Sequence, residues 1–189
     1  MSGKELRKMK QNRVFKVLSE SVKYENPWMK VIEYETETDG RKGIYGIVER
    51  NNSAIIIIEN VEGAILFVKQ YRYPIHGDSW ELPMGGLETD ELPINGAIRE
   101  LEEETGCHVT LEKIGQFHPV PGLTPQKAYV FWGKISDIES KIINNFNENV
   151  DEITDRCFFS QEEISLMIKE HKITDGFTLG ALSILKWRK

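Results

Sequence analysis

Between Gly85 and Gly106 the chain reads GGLETDELPINGAIRELEEETG, with seven acidic residues (Glu88, Asp90, Glu91, Glu100, Glu102, Glu103 and Glu104) against one base, Arg99. Like charges three and four residues apart destabilise a helix, so this crowding asks for a positive partner. On a helix of 3.6 residues per turn, Glu100, Glu103 and Glu104 are three and four apart and their carboxylates converge, while Glu102 points elsewhere. An all-oxygen set suits a hard cation, Mg²⁺ in the first place and Mn²⁺ as an alternative. Zinc is disfavoured: His76, His108, His118 and His171 form no ligand-spaced pair, and Cys107 and Cys157 form no CxxC motif. A run such as ELEEE is commonly no more than an exposed helical face. Here the context argues for a site: Gly85 and Gly86 let backbone carbonyls approach an ion, and Arg99 can hold a carboxylate by a bidentate contact.

These residues need elements to position them. Pro93 suits the first turn of a helix and Gly106 its C-terminal stop, so the spacing predicts a helix to Thr105 whose apolar stripe is Ile94, Ala97, Ile98 and Leu101. Before it, SWELPMGG reads as a short strand ending in glycines, and AIIIIEN and AILFVKQYRY as core strands of the main sheet. Further upstream, VFKVLSESVKYE, WMKVIEYETET and GIYGIVE are strand-like, with Asp39-Gly40 as a hairpin turn. After the helix, LEKIGQFHPV, KAYVFWGKIS and RCFFS are strand-like, and the Asn- and Glu-rich Ile138 to Val150 reads as a loop. Two helices follow, SQEEISLMIKEH with Ser160 and Glu163 as a capping box, and TDGFTLGALSILKWRK. Many strands with three scattered helices suggest an α+β sandwich rather than a βαβ repeat.

With 189 residues and 40% hydrophobic content, the chain fits one main domain with a real core. The net charge of −6 equals the imbalance of the acidic stretch, which leaves the remainder near neutral and without the basic footprint of a nucleic-acid binder. There is no apolar run long enough to span a membrane and no secretory signal, so a cytoplasmic protein with two buried thiols is expected.

The acidic segment resembles the Nudix box, G-x5-E-x7-R-E-U-x-E-E-x-G-U with U an apolar residue. Gly85, Glu91, Arg99, Glu100, Leu101, Glu103, Glu104, Gly106 and Cys107 fall on its positions in register, and Asp90 stands where members often have glycine. The resemblance implies a Nudix-type α/β/α sandwich with a mixed sheet (51–189), preceded by a small antiparallel β segment (1–50). It also implies hydrolysis of a nucleoside diphosphate linked to another moiety. Glu100, Glu103 and Glu104 carry over as metal ligands, with the Met84 carbonyl as a further one, and Arg99 and Glu91 as the ion pair that supports loop and helix. Phosphoryl transfer is mostly positioning and charge neutralisation, which agrees with such a set.

The flanks VKQYRYP, SWELPMGG, PVPGLTPQ and the late DEITDRCFFS are similar to the branch that hydrolyses ADP-ribose and sugar nucleotides. In that branch Arg72 matches an arginine on the substrate diphosphate. Pro121, fourteen residues after Cys107, falls one short of the branch's proline. The general base is a glutamate of the loop before the late strand, where Glu152 fits best and Glu148 next, with Glu100 as the alternative. Trp28 could stack a nucleobase. The N-terminal strands resemble the branch's dimerisation segment and part of its substrate site, implying a homodimer. Other sugar nucleotides such as GDP-mannose remain open as substrates, as does a non-catalytic nucleotide sensor, although the intact glutamates and the lack of a DNA-binding segment speak against sensing alone.

Overall fold

Four consecutive isoleucines, Ile55 to Ile58, are fully buried in the middle of one strand. Strand side chains alternate between faces, so a run that is apolar at every position needs a sheet covered on both sides. The computed structural model, which describes residues 16–145 and 153–188, shows that arrangement. In chain order the elements are β1 (Lys16–Asn26), β2 (Met29–Thr38), β3 (Arg41–Glu49), β4 (Ser53–Glu59), β5 (Ile65–Arg72), a 3₁₀ turn (Tyr73–Ile75), β6 (Gly77–Glu81) and β7 (Met84–Gly86). Then come α1 (Pro93–Thr105), β8 (Glu112–Phe117), β9 (Ala128–Lys134), α2 (Asp137–Asn145), β10 (Ile153–Phe159), α3 (Gln161–Lys169) and α4 (Gly176–Trp187).

The described residues form two compact units: one is Lys16–Arg50 with Gly122–Pro125, the other Asn51–Pro121 with the described residues from Gln126 onward. The first is an antiparallel meander in the order β1-β2-β3. Its second hairpin turns at Asp39 and Gly40, both at positive φ (53° and 74°), the pairing that a two-residue turn between twisted strands requires. Tyr45 and Val48 tie the Gly122–Pro125 segment to it: the Tyr45 hydroxyl donates to the Gly122 carbonyl and the Val48 amide to that of Leu123.

The second unit is built on a seven-stranded sheet with the path β10-β5-β4-β9-β8, β6 pairing with β5 and β7 with β4. β4 and β9 are parallel and the other pairs antiparallel, so the sheet is mixed. Ala54, Ile56 and Ile58 pack with Ala97 and Leu101 of α1 and Ile143 of α2 on one face. Ile55 and Ile57 pack with Ile164 of α3 and Ala181 of α4 on the other. This is an α+β fold of the α/β/α sandwich type.

SWELPMGG is two strands rather than one. Pro83 lacks an N–H and breaks the run; its carbonyl accepts from the Ile56 amide at 2.8 Å, after which the chain switches from pairing with β5 to pairing with β4. α1 occupies the residues that Pro93 and Gly106 bound, with Gly106 at φ 67° closing it. α3 carries the expected capping box of Ser160 and Glu163. The expected loop from Ile138 is instead helix α2 as far as Asn145, the remaining residues to Val150 lying outside the described ones. A second Ser-x-x-Glu box starts it: the Ser136 amide and hydroxyl donate to Glu139 at 2.7 Å each, and Ile143 is buried. Cys157 is half-buried rather than buried, because β10 is the last strand of the path. Among the described residues no helix is long and apolar enough to cross a membrane.

Candidate active site

β7 and α1 bring the acidic residues together. The buried side of α1 is Gly96, Ala97, Leu101, Glu104 and Thr105, while Ile98, expected in the apolar stripe, is 38% exposed. The helix is therefore rotated so that Glu100 and Glu104 face the sheet. Room for Glu100 comes from Gly85: a Cβ there would lie 2.0 Å from the Glu100 carboxyl carbon. The loop between β7 and α1 passes Asp90 at φ 61°, a left-handed position that glycine or a short polar side chain tolerates.

Arg99 is the hub of the cluster. Its Nε and Nη2 donate to the two oxygens of Glu91 at 3.1 and 3.0 Å, and Nη2 also donates to the Gly86 carbonyl at 3.0 Å. Nη1 donates to Glu100 at 2.7 Å and to Glu103 at 3.3 Å. Glu91 in turn accepts from the Glu88 amide at 2.8 Å, so one carboxylate fixes both the loop and the arginine. The contact with Arg99 holds the Glu91 carboxyl below its usual range, and Glu91 raises Arg99.

The other acids differ by environment. Burial pushes Glu100 up, with Arg99 opposing. Burial pushes Glu104 well above the usual carboxylate value, and the neighbouring Glu100 adds to it; a hydrogen bond from the Met84 backbone and the charge of Arg72 oppose. Glu104 is 8% exposed, and its Oε2 is buried with no hydrogen-bond partner among the described residues. A buried carboxylate oxygen left unpaired is costly unless a cation satisfies it. Glu103 is 56% exposed on its side chain, and Glu102 turns away to His108 at 3.1 Å. Among the described residues no three acidic, histidine or cysteine side chains are gathered as a metal cluster, since Arg99 draws Glu100 and Glu103 to itself. The donor set and the orphaned Glu104 oxygen nevertheless fit a hard divalent cation, for which Glu100 and Glu103 would turn from Arg99.

Arg72, at the end of β5, is paired with Glu81 of β6, Nε to Oε1 at 2.9 Å and Nη2 to Oε2 at 2.5 Å. Met84, the first residue of β7, stands opposite Ile55. Pro121 is exposed. Trp28 belongs to the other unit, where it is 76% exposed in the turn between β1 and β2 and its amide donates to Asn26. Glu152 and Glu148 lie outside the described residues.

Sequence reasoning missed Glu81, Gln70 and Arg156. Glu81 is 2% exposed and accepts from Gln70 at 3.1 Å as well as from Arg72. Arg156 of β10 donates to the backbone carbonyl of Glu104 at 2.5 Å. The available signal was a charged residue inside a short apolar strand, WELP and RCFF. Burial raises the thiol of Cys107 to about 11 and that of Cys157 as well, so neither is primed as a nucleophile.

A family model described as the NUDIX domain matches residues 49–178. The ADP-ribose pyrophosphatase of Bacillus subtilis (strain 168) is 30% identical over 153 residues, 80% of this chain and 80% of that protein. The methanol dehydrogenase activator of Bacillus methanolicus is 35% identical over 134 residues, 70% of each chain. A crystal structure of an ADP compounds hydrolase superposes with a TM-score of 0.74 over 94% of this chain and 95% of that one at 13% identity, a likeness of fold. Box residues in register on β7 and α1, the mixed-sheet sandwich and a family match over most of the chain agree, and the chain belongs to the Nudix family as a Nudix hydrolase.

Proposed function

We propose that the protein hydrolyses the diphosphate of ADP-ribose, giving AMP and ribose 5-phosphate, with Mg²⁺ as its metal ion and Mn²⁺ as a substitute. The observation that carries this reading is the complete set of box carboxylates, with a buried Glu104 oxygen that has no hydrogen-bond partner among the described residues. The similarity to an ADP-ribose pyrophosphatase over most of both chains supports the substrate.

Nudix hydrolases use divalent metal ions, and here Glu100, Glu103, Glu104 and the Met84 carbonyl would hold them. When bound, the metal supplies the positive charge that a diphosphate and a departing phosphate require. The chain's own residues do the rest. Arg99 and Glu91 lock the loop to α1, so that the acids meet the substrate in a fixed array. Arg72 binds the diphosphate as a fork of N–H donors. Glu152 removes the proton of the attacking water, with Glu148 and Glu100 as the alternative bases. Trp28 stacks on the adenine and Pro121 lines the substrate pocket. Residues 1–50 form the dimerisation segment and complete the substrate site of a cytoplasmic homodimer, and 51–189 form the hydrolase domain.

The test is a panel of ADP-ribose, ADP-glucose, GDP-mannose, UDP-glucose, NADH and diadenosine polyphosphates with Mg²⁺, read as release of nucleoside monophosphate. ADP-ribose is expected to give the highest kcat/KM. A preference for GDP-mannose would move the substrate, and tight binding without turnover of any compound would replace the enzyme by a sensor.

A further inference from the structure

We propose that Glu81 is a positioning residue that aims Arg72 at the substrate diphosphate. This rests on the reading of Arg72 given above and adds to it the group that sets its geometry. Arg72 is the last residue of β5, and an arginine at a strand end beside a turn ordinarily extends into water. In this protein it does not. Across the sheet Arg72 stands opposite Gly77, which has no side chain to block it, and Glu81 stands opposite Val68, further along the same face. The guanidinium folds back along that face to meet Glu81 through Nε and Nη2, the fork geometry that fixes the guanidinium plane as well as its position.

Glu81 is itself held. Its side chain is 3% exposed, and Gln70, on the same face of β5, donates to the oxygen that also accepts from Arg72 Nη2. The Arg72 side chain remains 39% exposed, so the pair joins a rigid buried acid to a cation that solvent and ligands reach. The charges of both residues act on Glu104, which places the pair within electrostatic reach of the box acids. An ion pair whose cation is open to solvent adds little to stability, so its use here is orientation.

The experiment is a double-mutant cycle with Arg72→Ala, Glu81→Gln and the double variant, plus Glu81→Asp. kcat and KM are measured on the best substrate of the panel at saturating metal, alongside urea unfolding. Arg72→Ala is expected to lower kcat/KM at least roughly tenfold, mainly through KM, and Glu81→Gln to reproduce most of that loss. Added to Arg72→Ala, the Glu81 change is expected to alter kcat/KM less than about twofold, since there is no guanidinium left to aim. An equal loss in both backgrounds, or wild-type kinetics in Glu81→Gln, overturns the proposal while leaving the role of Arg72 intact. Failure of both Glu81 variants to fold while Arg72→Ala folds would also overturn it, by making Glu81 a folding residue. Wild-type KM in Arg72→Ala for every compound instead sinks the reading of Arg72, and the proposal with it.

Discussion

Replacing Gly85 by alanine isolates the position of one carboxylate. Gly85 has no positive φ, so β7 accepts alanine without backbone strain. Its added Cβ, however, would lie 2.0 Å from the Glu100 carboxyl carbon and 2.1 and 2.2 Å from its oxygens. Ordinary contact begins at 3.4 Å, so the carboxylate must retreat by about 1.4 Å, and the 2.7 Å bond from Arg99 goes with it. The clash falls on the far end of a flexible side chain, so folding is barely affected. Losing that bond costs on the order of 1 kcal/mol, and Gly→Ala returns about 0.4–1 kcal/mol through the unfolded chain. Tm should therefore stay within about 3 °C of wild type. Activity should not survive equally well, because a misplacement of about 1 Å in a catalytic array can lower the rate roughly 100-fold. Steady-state AMP release with Mg²⁺, together with a thermal melt, makes the comparison. A folded Gly85→Ala variant with kcat/KM within twofold of wild type would refute the reasoning, for it would mean that the place of the Glu100 carboxylate does not matter.

Glu104 predicts a pH effect. Because burial raises its folded pKa above the 4.5 of an ordinary carboxyl, keeping it ionised costs the metal-free protein stability above the raised value. Stability should rise as pH falls from above that value to about 4.5, with no further gain from this group below it. Urea unfolding in EDTA should show this slope in wild type and its loss in Glu104→Gln, which should be the more stable of the two near neutral pH. Saturating Mg²⁺ should reverse that order, since a ligand at 100 times its Kd adds about 2.7 kcal/mol to the form that binds it; an identical Mg²⁺ shift in both proteins counts against Glu104 as a ligand. Arg99→Lys keeps the charge but cannot reproduce the fork to Glu91 or reach Glu100 and Gly86 together, so it should lose about 2 kcal/mol in urea unfolding as well as activity. Ser160→Ala removes the capping box of α3, away from the acids, and should lower stability by about 1 kcal/mol with kcat/KM unchanged.

Legibility in the sequence followed how local the determining physics was. Pro93 and Gly106 mark the ends of α1 through their own backbone chemistry, as Asp39-Gly40 marks its hairpin and Ser160 with Glu163 marks the start of α3. The box residues stand at fixed spacings on that one helix and loop, and the resemblance to the Nudix box implied the Arg99–Glu91 pair. Which face of α1 turns inward is a different matter. Periodicity favours Ile98, yet Gly85 of β7 opens space beside Glu100, and the helix settles with Glu104 buried and Ile98 exposed. α2 was obscured by asparagine-rich composition, although Ser136 and Glu139 form the same kind of cap as Ser160 and Glu163. Glu81 carried only the signal of a charge inside a short apolar strand, and its partners could not be read: Arg72 and Gln70 are adjacent to it only because β5 and β6 pair in that register.

In the proposed function the box acids serve a metal-dependent attack on ADP-ribose. AMP and ribose 5-phosphate should therefore be followed from ADP-ribose with Mg²⁺ and with EDTA, for wild type and Glu103→Gln. Glu103 is exposed, and among the described residues its side chain accepts one hydrogen bond, the 3.3 Å contact from Arg99, so the substitution leaves the fold in place. Equimolar products that need Mg²⁺ and fall by two orders of magnitude or more in Glu103→Gln are the expected result. Hydrolysis that persists in EDTA, or that proceeds at the wild-type rate in Glu103→Gln, would contradict the account.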